Sequence, residues 1–262
     1  MADRVVCVTG ASQGIGLQAA LGFARAGDTV IATSRDAATA AAIIGPLDPS
    51  IAIRPLDVTD KYGRVDVVVN NAGRGFLGTT GQLSVANIQE SLDVNFLGTV
   101  RVTKALLPLM RGQRSGHLIA ISSIGGVMGQ PFRDAYCAAK FALEGLYESL
   151  HPVLAQFGIR VSIVEPGPVV SGHGARALHL PVTGDEELAA IQGRYLAAAA
   201  NARGQSATDA AAAILSCADD PDPKLRYQSS RFTTKLVGLK LADLDGATIT
   251  AMTGGWLAAD PQ

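Results

Sequence analysis

Short β-branched runs alternate with longer helical stretches through the first two-thirds of the chain, and this alternation limits the fold more than any other feature. The runs are Val5–Thr9, Thr29–Ser34, Ile51–Leu56, Val65–Asn70, His117–Ser122 and Arg160–Glu165. Several are apolar almost throughout, as strands covered on both faces are. Between them the pattern predicts helices over Ile15–Ala26, Asp36–Ile44, Val85–Arg111 (broken near Asn95) and Asp134–Phe157, with Gly27, Gly112 and Gly158 where such helices end. Strand and helix in turn predict a doubly wound α/β fold, a parallel sheet with helices on both faces.

The last third reads differently. From Gly167 to about Gly204 the chain is rich in Gly and Ala, and one or two helices with loops are expected. Thr208–Ala218 reads as a helix entered through Ser206-Ala-Thr-Asp209. Leu225–Gln228 and Ala247–Met252 compete for a last strand; the first is favoured as the edge strand, the second as part of a C-terminal addition. Residues 1–262 are read as one domain, with a core to residue 170, a lid and last core elements to 230, and the addition beyond.

Composition excludes several functions. Hydrophobic residues make up 48% of the 262 and charged residues 17%, so a large core is expected and disorder is not. A net charge of −1 gives no global pull on nucleic acid or an anionic membrane. Cys7, Cys137 and Cys217 are far apart and form no Cys-x-x-Cys pair, which argues against a disulfide scaffold or zinc site and fits a reducing compartment. His173 and His179 lack partners at ligand spacing, so no metal is expected. No run of 18 apolar residues and no secretory signal is visible, so a cytoplasmic protein without a membrane span is expected.

Thr9-Gly10-Ala-Ser12-Gln13-Gly14-Ile15-Gly16 lies between the first strand and first helix. Glycines there allow a tight turn and close approach of a ligand, and the following helix offers free N–H groups to a pyrophosphate. Alone, such a turn is weak evidence. Tyr136 and Lys140, four apart in a helix, share a face. A nearby ammonium favours the phenolate and would lower the Tyr136 pKa toward the range of a useful proton donor. Asn70-Asn71-Ala72-Gly73, Asn95, the Ser122-Ser123 pair and Pro166-Gly167 fall at or beside strand ends, where open parallel sheets bind ligands.

Taken together these motifs resemble the short-chain dehydrogenase/reductase family, with specific matches over roughly residues 3–170. The resemblance implies a mostly parallel Rossmann-type sheet of about seven strands. It implies that Tyr136 exchanges the proton with the substrate oxygen, Ser123 hydrogen-bonds that oxygen, Lys140 holds the nicotinamide ribose, and Asn95 supports a water chain to Lys140. Gly10, Ser12, Gln13, Gly14, Ile15 and Gly16 would line the dinucleotide. Asp57 and Val58 would meet the adenine, Asn71, Ala72 and Gly73 the adenosine side, and Pro166, Gly167 and Val169 the nicotinamide. NAD users of the family carry Asp at the position of Ser34. Here Arg35 follows and can grip a 2′-phosphate, so NADP(H) is favoured over NAD(H), although Asp36 and the neutral Gln13 weigh the other way.

The lid segment holds Ala175, Leu178, Leu180, Ile191 and Tyr195. This suggests an apolar pocket and a small lipophilic alcohol or carbonyl. The end of the second strand and Leu225-Arg-Tyr-Gln228 are loosely similar to the 17β-hydroxysteroid and retinol dehydrogenase branch. The resemblance also implies a homodimer or homotetramer. One departure stands out: six residues separate Val58 from Val65, where the family places a whole helix. The crossing spans roughly 14 Å sideways and ~15 Å along the strands, and seven extended steps reach about 23–25 Å. A taut connection without the third crossover helix is expected. It keeps open a catalytically weak or inactive nucleotide-binding scaffold as an alternative. An epimerase or dehydratase ranks low, because the sugar-nucleotide enzymes carry a differently spaced glycine turn.

Overall fold

The computed structural model describes residues 4–34, 36–54, 63–170, 177–201 and 204–258. In chain order its strands are β1 (Val5–Thr9), β2 (Thr29–Thr33), β3 (Ala52–Arg54), β4 (Val67–Asn70), β5 (Phe76–Leu77), β6 (Gly116–Ile121), β7 (Ile159–Glu165), β8 (Val169–Val170), β9 (Leu178–His179), β10 (Gln205–Ser206) and β11 (Arg226–Gln228). Seven form one parallel sheet in the order β11-β7-β6-β4-β1-β2-β3. The remaining four make two small parallel pairs, β5 with β9 and β8 with β10.

The helices are α1 (Gly14–Arg25), α2 (Ala37–Ile44), α3 (Val85–Leu92), α4 (Gly98–Gln113), α5 (Asp134–Ala155), α6 (Glu186–Asn201), α7 (Ala207–Asp219), α8 (Arg231–Ala242) and α9 (Ala247–Gly255). They cover both faces because successive strand residues point to opposite sides. Val6, Val8, Val30 and Val67 pack under Phe23, Ile44 and Ile214 on one face. Cys7, Val68, Leu118 and Ile163 pack under Leu106, Leu143 and Tyr147 on the other. With both faces covered, β1 and β6 are buried at every position, which explains their largely apolar sequences. The doubly wound Rossmann-type sheet expected from the alternation is the one observed.

Several local expectations need correction. The break near Asn95 is a π-helical stretch, Asp93–Leu97, that joins α3 to α4 without ending the helical path. Gly112 lies inside α4; the helix stops at Arg114, a non-glycine residue in the left-handed region (φ 55°). Arg226–Gln228 is the edge strand, and the competing segment from Ala247 is α9. The crossover from Val58 toward Val65, with Asp57 and Val58 themselves, lies largely outside the described residues. Its exit is described: Gln113 brackets Val65, accepting from its N–H at 2.9 Å and donating to its carbonyl at 2.9 Å.

Candidate active site

The ends of β1 and β4 are tied by one threonine. The Thr9 hydroxyl accepts from the N–H groups of Asn71 (2.9 Å) and Ala72 (3.0 Å). The Asn71 amide returns hydrogen bonds to the carbonyls of Thr9 and Gly10. Gly10 (φ 64°) and Gly14 (φ 55°) take the backbone through the left-handed region. A Cβ on Gly10 would stand 2.8 Å from Ala72 Cα, and one on Gly16 would stand 2.6 Å from the Gly10 carbonyl and closer still to the Asn71 amide. Glycine is therefore required at both. Gln13 precedes α1 without a side-chain cap, and the first turn holds no acid. Its N–H groups and positive dipole end remain available to an anion. Gly10, Gly16, Asn71 and Ala72 are thus brought together beside an uncapped helix N-terminus, a cradle that fits a dinucleotide pyrophosphate.

Beside it stand the groups suited to proton transfer. Ser123 follows β6, its Oγ accepts from Gly125 N–H at 3.0 Å, and it lies beside the Tyr136 ring, both coming within 3.5 Å of the Cβ position of Gly125. Ser122 instead faces Glu144 and Gly126. Tyr136 and Lys140 lie one turn apart in α5, and both are buried. The Lys140 ammonium donates to the Ile121 carbonyl at 2.8 Å and lies 3.9 Å from the Cβ position of Gly73. Asn95 is fully buried in the π-helical turn. Its amide donates to the carbonyls of Arg74 (3.0 Å) and Ser91 (3.1 Å), and its oxygen accepts from Arg74 N–H at 3.0 Å. It clamps the loop after β4 and so positions Gly73. π-turns inside α-helices are frequent at functional sites.

Pro166 leaves β7 toward the same place, its carbonyl accepting from Ile124 N–H at 3.0 Å. Gly167 passes close under Thr233 of α8, and Val169 pairs with Gln205. Ser12 and Ile15 complete the turn around the cradle. Arg35 lies outside the described residues. Its neighbour Asp36 caps α2, accepting from the Thr39 N–H (3.0 Å) and hydroxyl, and these bonds hold its carboxyl below the usual carboxylate range.

Burial pushes the Lys140 ammonium down to about 8, with Glu144 opposing. The Tyr136 phenol is raised, because burial outweighs the nearby Ser123 hydroxyl and the charge of Arg133. The Lys140 Nζ and the Arg133 Cζ each lie 5.9 Å from the centre of the Tyr136 ring, and either positive charge favours the phenolate.

The sequence reading also missed a buried acidic pair. Glu144 and Glu165 share Arg226, whose Nε lies 3.3 Å and 3.4 Å from their carboxylates. Gln228 donates to Glu165 at 2.7 Å. Burial raises both carboxyls, Glu144 from 4.5 to about 7. A raised acid binds its proton more tightly in the folded state, so its contribution to stability is lost as pH rises from about 4.5 through 7. Unfolding free energy is expected to fall by about 2–3 kcal/mol across that window. Glu144→Gln should flatten the slope, which urea titrations at pH 5, 6, 7 and 8 would reveal. An equal slope in the variant would assign the dependence to other groups.

A doubly wound parallel sheet, with a glycine cradle and a Ser–Tyr–Lys cluster at the ends of its strands, defines the class: a Rossmann-type α/β protein with a crevice for a dinucleotide. The family model described as short chain dehydrogenase matches residues 4–178, and the chain belongs to that family of oxidoreductases. It is 38% identical over 278 residues to human retinol dehydrogenase 8, across 96% of this chain and 89% of that one. It is 36% identical over 280 residues to human 17-beta-hydroxysteroid dehydrogenase type 1, across 96% and 80%. The crystal structure of a short-chain dehydrogenase from Streptomyces avermitilis superimposes with a TM-score of 0.81 at 31% identity, covering 97% of each chain. The described helices include none long and apolar enough to cross a membrane.

Proposed function

We propose that the protein moves hydride between NADP(H) and a small lipophilic alcohol or carbonyl compound. The observation that carries this reading is the placement of Ser123, Tyr136 and Lys140 together beside the Gly10–Gly16 cradle. Gly10, Ser12, Gln13, Gly14, Ile15 and Gly16 would hold the pyrophosphate side of the cofactor, and Asn71, Ala72 and Gly73 the adenosine side. Lys140 would hold the nicotinamide ribose, and Pro166, Gly167 and Val169 the nicotinamide. When bound, the cofactor supplies or accepts the hydride. In reduction Tyr136 gives its phenolic proton to the carbonyl oxygen, which Ser123 orients; in oxidation Tyr136 takes the alcohol proton.

Four observations support the finer statements. The Asp36 carboxylate is committed to capping α2, which leaves Arg35 as the charge favouring a 2′-phosphate. Phe132, Tyr195, Ile191 and Trp256 form an apolar cluster near Tyr136, and the relatives' names are those of steroid and retinol dehydrogenases. Phe141 and Val153 leave apolar surface on α5, which favours pairing of α4 and α5 between copies in a homodimer or homotetramer. Free, buried cysteines fit a cytoplasmic setting.

Calorimetric titration with NADPH and then NADH tests the reading. NADPH is expected to bind at least ~10-fold more tightly, a difference of about 1.4 kcal/mol. The reverse order would overturn the NADP(H) preference alone. Binding of neither would overturn the enzyme reading and leave an inactive scaffold of the same fold.

A further inference from the structure

Large apolar side chains left in water gather at one place in this molecule. Among the described residues, four of the eleven exposed ones, Phe232, Leu239, Leu241 and Leu244, fall within thirteen positions, and Leu244 is 98% exposed. The first three belong to α8 and the fourth to the turn that follows it. Thr233, Leu236 and Val237 turn inward. Helical geometry then points Arg231, Lys235, Gly238 and Ala242 outward, with Phe232 and Leu239 along one edge of that face and Leu241 along the other. Arg231, Lys235 and Lys240 are the charges of α8, and the helix holds no acid. Arg231 and Lys235 have no ion-pair partner among the described residues, and Lys240 lies in the field of Asp243. The carboxylates of the turn are engaged with α9: Asp243 accepts from the N–H groups of Thr248 and Ile249, and Asp245 from that of Ala247. A chain of net charge −1 thus carries a locally cationic face bordered by apolar side chains.

We propose that α8 and the turn after it dock on an anionic lipid surface: Arg231, Lys235 and Lys240 meet the headgroups, and Phe232, Leu239, Leu241 and Leu244 enter the interfacial layer. An interfacial helix of this kind joins apolar insertion to attraction by acidic lipids, and it needs no membrane span. A second copy of the chain is the poorer occupant. Two copies related by a twofold axis would bring the same cations toward one another, and like charges facing each other oppose association. The position of α8 also favours lipid. Leu236 and Val237 line one narrow apolar seam with Ile124, Val127 and Met128 of the loop after Ser123, and Thr233 stands over Gly167. A docked α8 therefore sets the substrate side of the crevice beside the bilayer, where lipophilic alcohols and carbonyl compounds collect. This link to substrate supply rests on the proposed reaction; the docking does not.

The full-length protein is sedimented with vesicles of phosphatidylcholine alone and of phosphatidylcholine with phosphatidylserine. Binding to the anionic vesicles should exceed that to the neutral ones by ~10-fold or more, and should fall steeply at about 0.5 M salt, where charges are screened within roughly 4 Å. Arg231→Gln combined with Lys235→Gln should weaken it by about 10–30-fold, at roughly fivefold per charge. Leu241→Gln combined with Leu244→Gln should weaken it by about 10-fold through lost insertion. Lys104→Gln combined with Arg111→Gln is the control. These cations lie on α4, which ends at the start of β6, the opposite end of the sheet from Gly167, and their loss should change binding by less than about twofold. All six side chains are exposed, so folded variants are expected, and each α8 pair tests the docking by itself. Sedimentation with neither vesicle overturns the proposal, as does binding that the α8 variants leave unmoved or that the α4 variant abolishes. A dimer that the Leu241→Gln and Leu244→Gln pair converts to monomer, without vesicle binding, would assign the face to a second copy and overturn the proposal equally. Vesicle binding needs no turnover, so a protein that sediments with anionic lipid yet binds neither NADPH nor NADH would refute the proposed reaction and leave the docking standing.

Discussion

Tyr136→Phe is expected to lower kcat/KM for carbonyl reduction by about 10³ while leaving cofactor affinity within about twofold. The substitution removes one oxygen and keeps the ring. That ring packs with Phe76, Leu83 and Cys137, so the wall of the site should stand. What disappears is the hydroxyl of the ring that stands beside Ser123, the atom that can pass a proton to a substrate oxygen. Loss of a hydrogen bond costs about 1 kcal/mol of stability, far less than the catalytic effect. Ser123→Ala should cost less activity than Tyr136→Phe, because a serine that orients the oxygen without moving the proton is replaced in part by water. Steady-state rates, calorimetric cofactor binding and melting temperature together check this. A Tyr136→Phe protein that keeps a tenth of its activity would remove Tyr136 from the chemistry.

What the sequence could disclose follows from the range of the interactions involved. β1, β2, β4, β6 and β7 were legible because a strand buried on both faces needs an apolar residue at nearly every position. The two-residue strands β5, β8, β9 and β10 leave no periodicity to read. Ala247–Met252 mixes helix and strand formers. It becomes α9 because the Asp243 carboxylate accepts from the N–H groups of Thr248 (3.2 Å) and Ile249 (2.8 Å), a cap built from outside the segment. α4 outruns Gly112 because Arg114 tolerates the left-handed turn while bonding the Gln156 carbonyl at 3.2 Å. The cradle and the Ser123–Tyr136–Lys140 set were legible for the opposite reason: their spacing is local and the sheet's strand ends bring them together. Arg133 with Tyr195 and Glu144 with Arg226 pair across 62 and 82 residues. Only tertiary packing sets such partners.

The cradle makes the second large prediction, and a matched control separates its two parts. Gly10→Ala places a side chain at φ 64°, costing about 1–2 kcal/mol, and drives its Cβ to within 2.8 Å of Ala72 Cα. That neighbour is backbone, held by the Thr9 hydroxyl, so it cannot swing aside as a side-chain tip would. Forced expansion adds about 1–3 kcal/mol. The sum, about 2–5 kcal/mol, corresponds to a fall in melting temperature of roughly 5–15 °C for a chain of this size. Gly27→Ala supplies the control. Gly27 also has positive φ, 89°, at the end of α1, but nothing lies within 4 Å of its Cβ position. It should show the conformational cost of about 1–2 kcal/mol and bind cofactor normally. Gly10→Ala should lose affinity by ~100-fold, about 2.7 kcal/mol, because the turn that must approach the pyrophosphate is pushed away from Asn71 and Ala72. Calorimetric binding on both variants decides the matter. If both lose cofactor equally, the defect is general softening of the β1–α1 region; if neither does, the pyrophosphate does not sit on this turn and the site must be sought elsewhere along the strand ends.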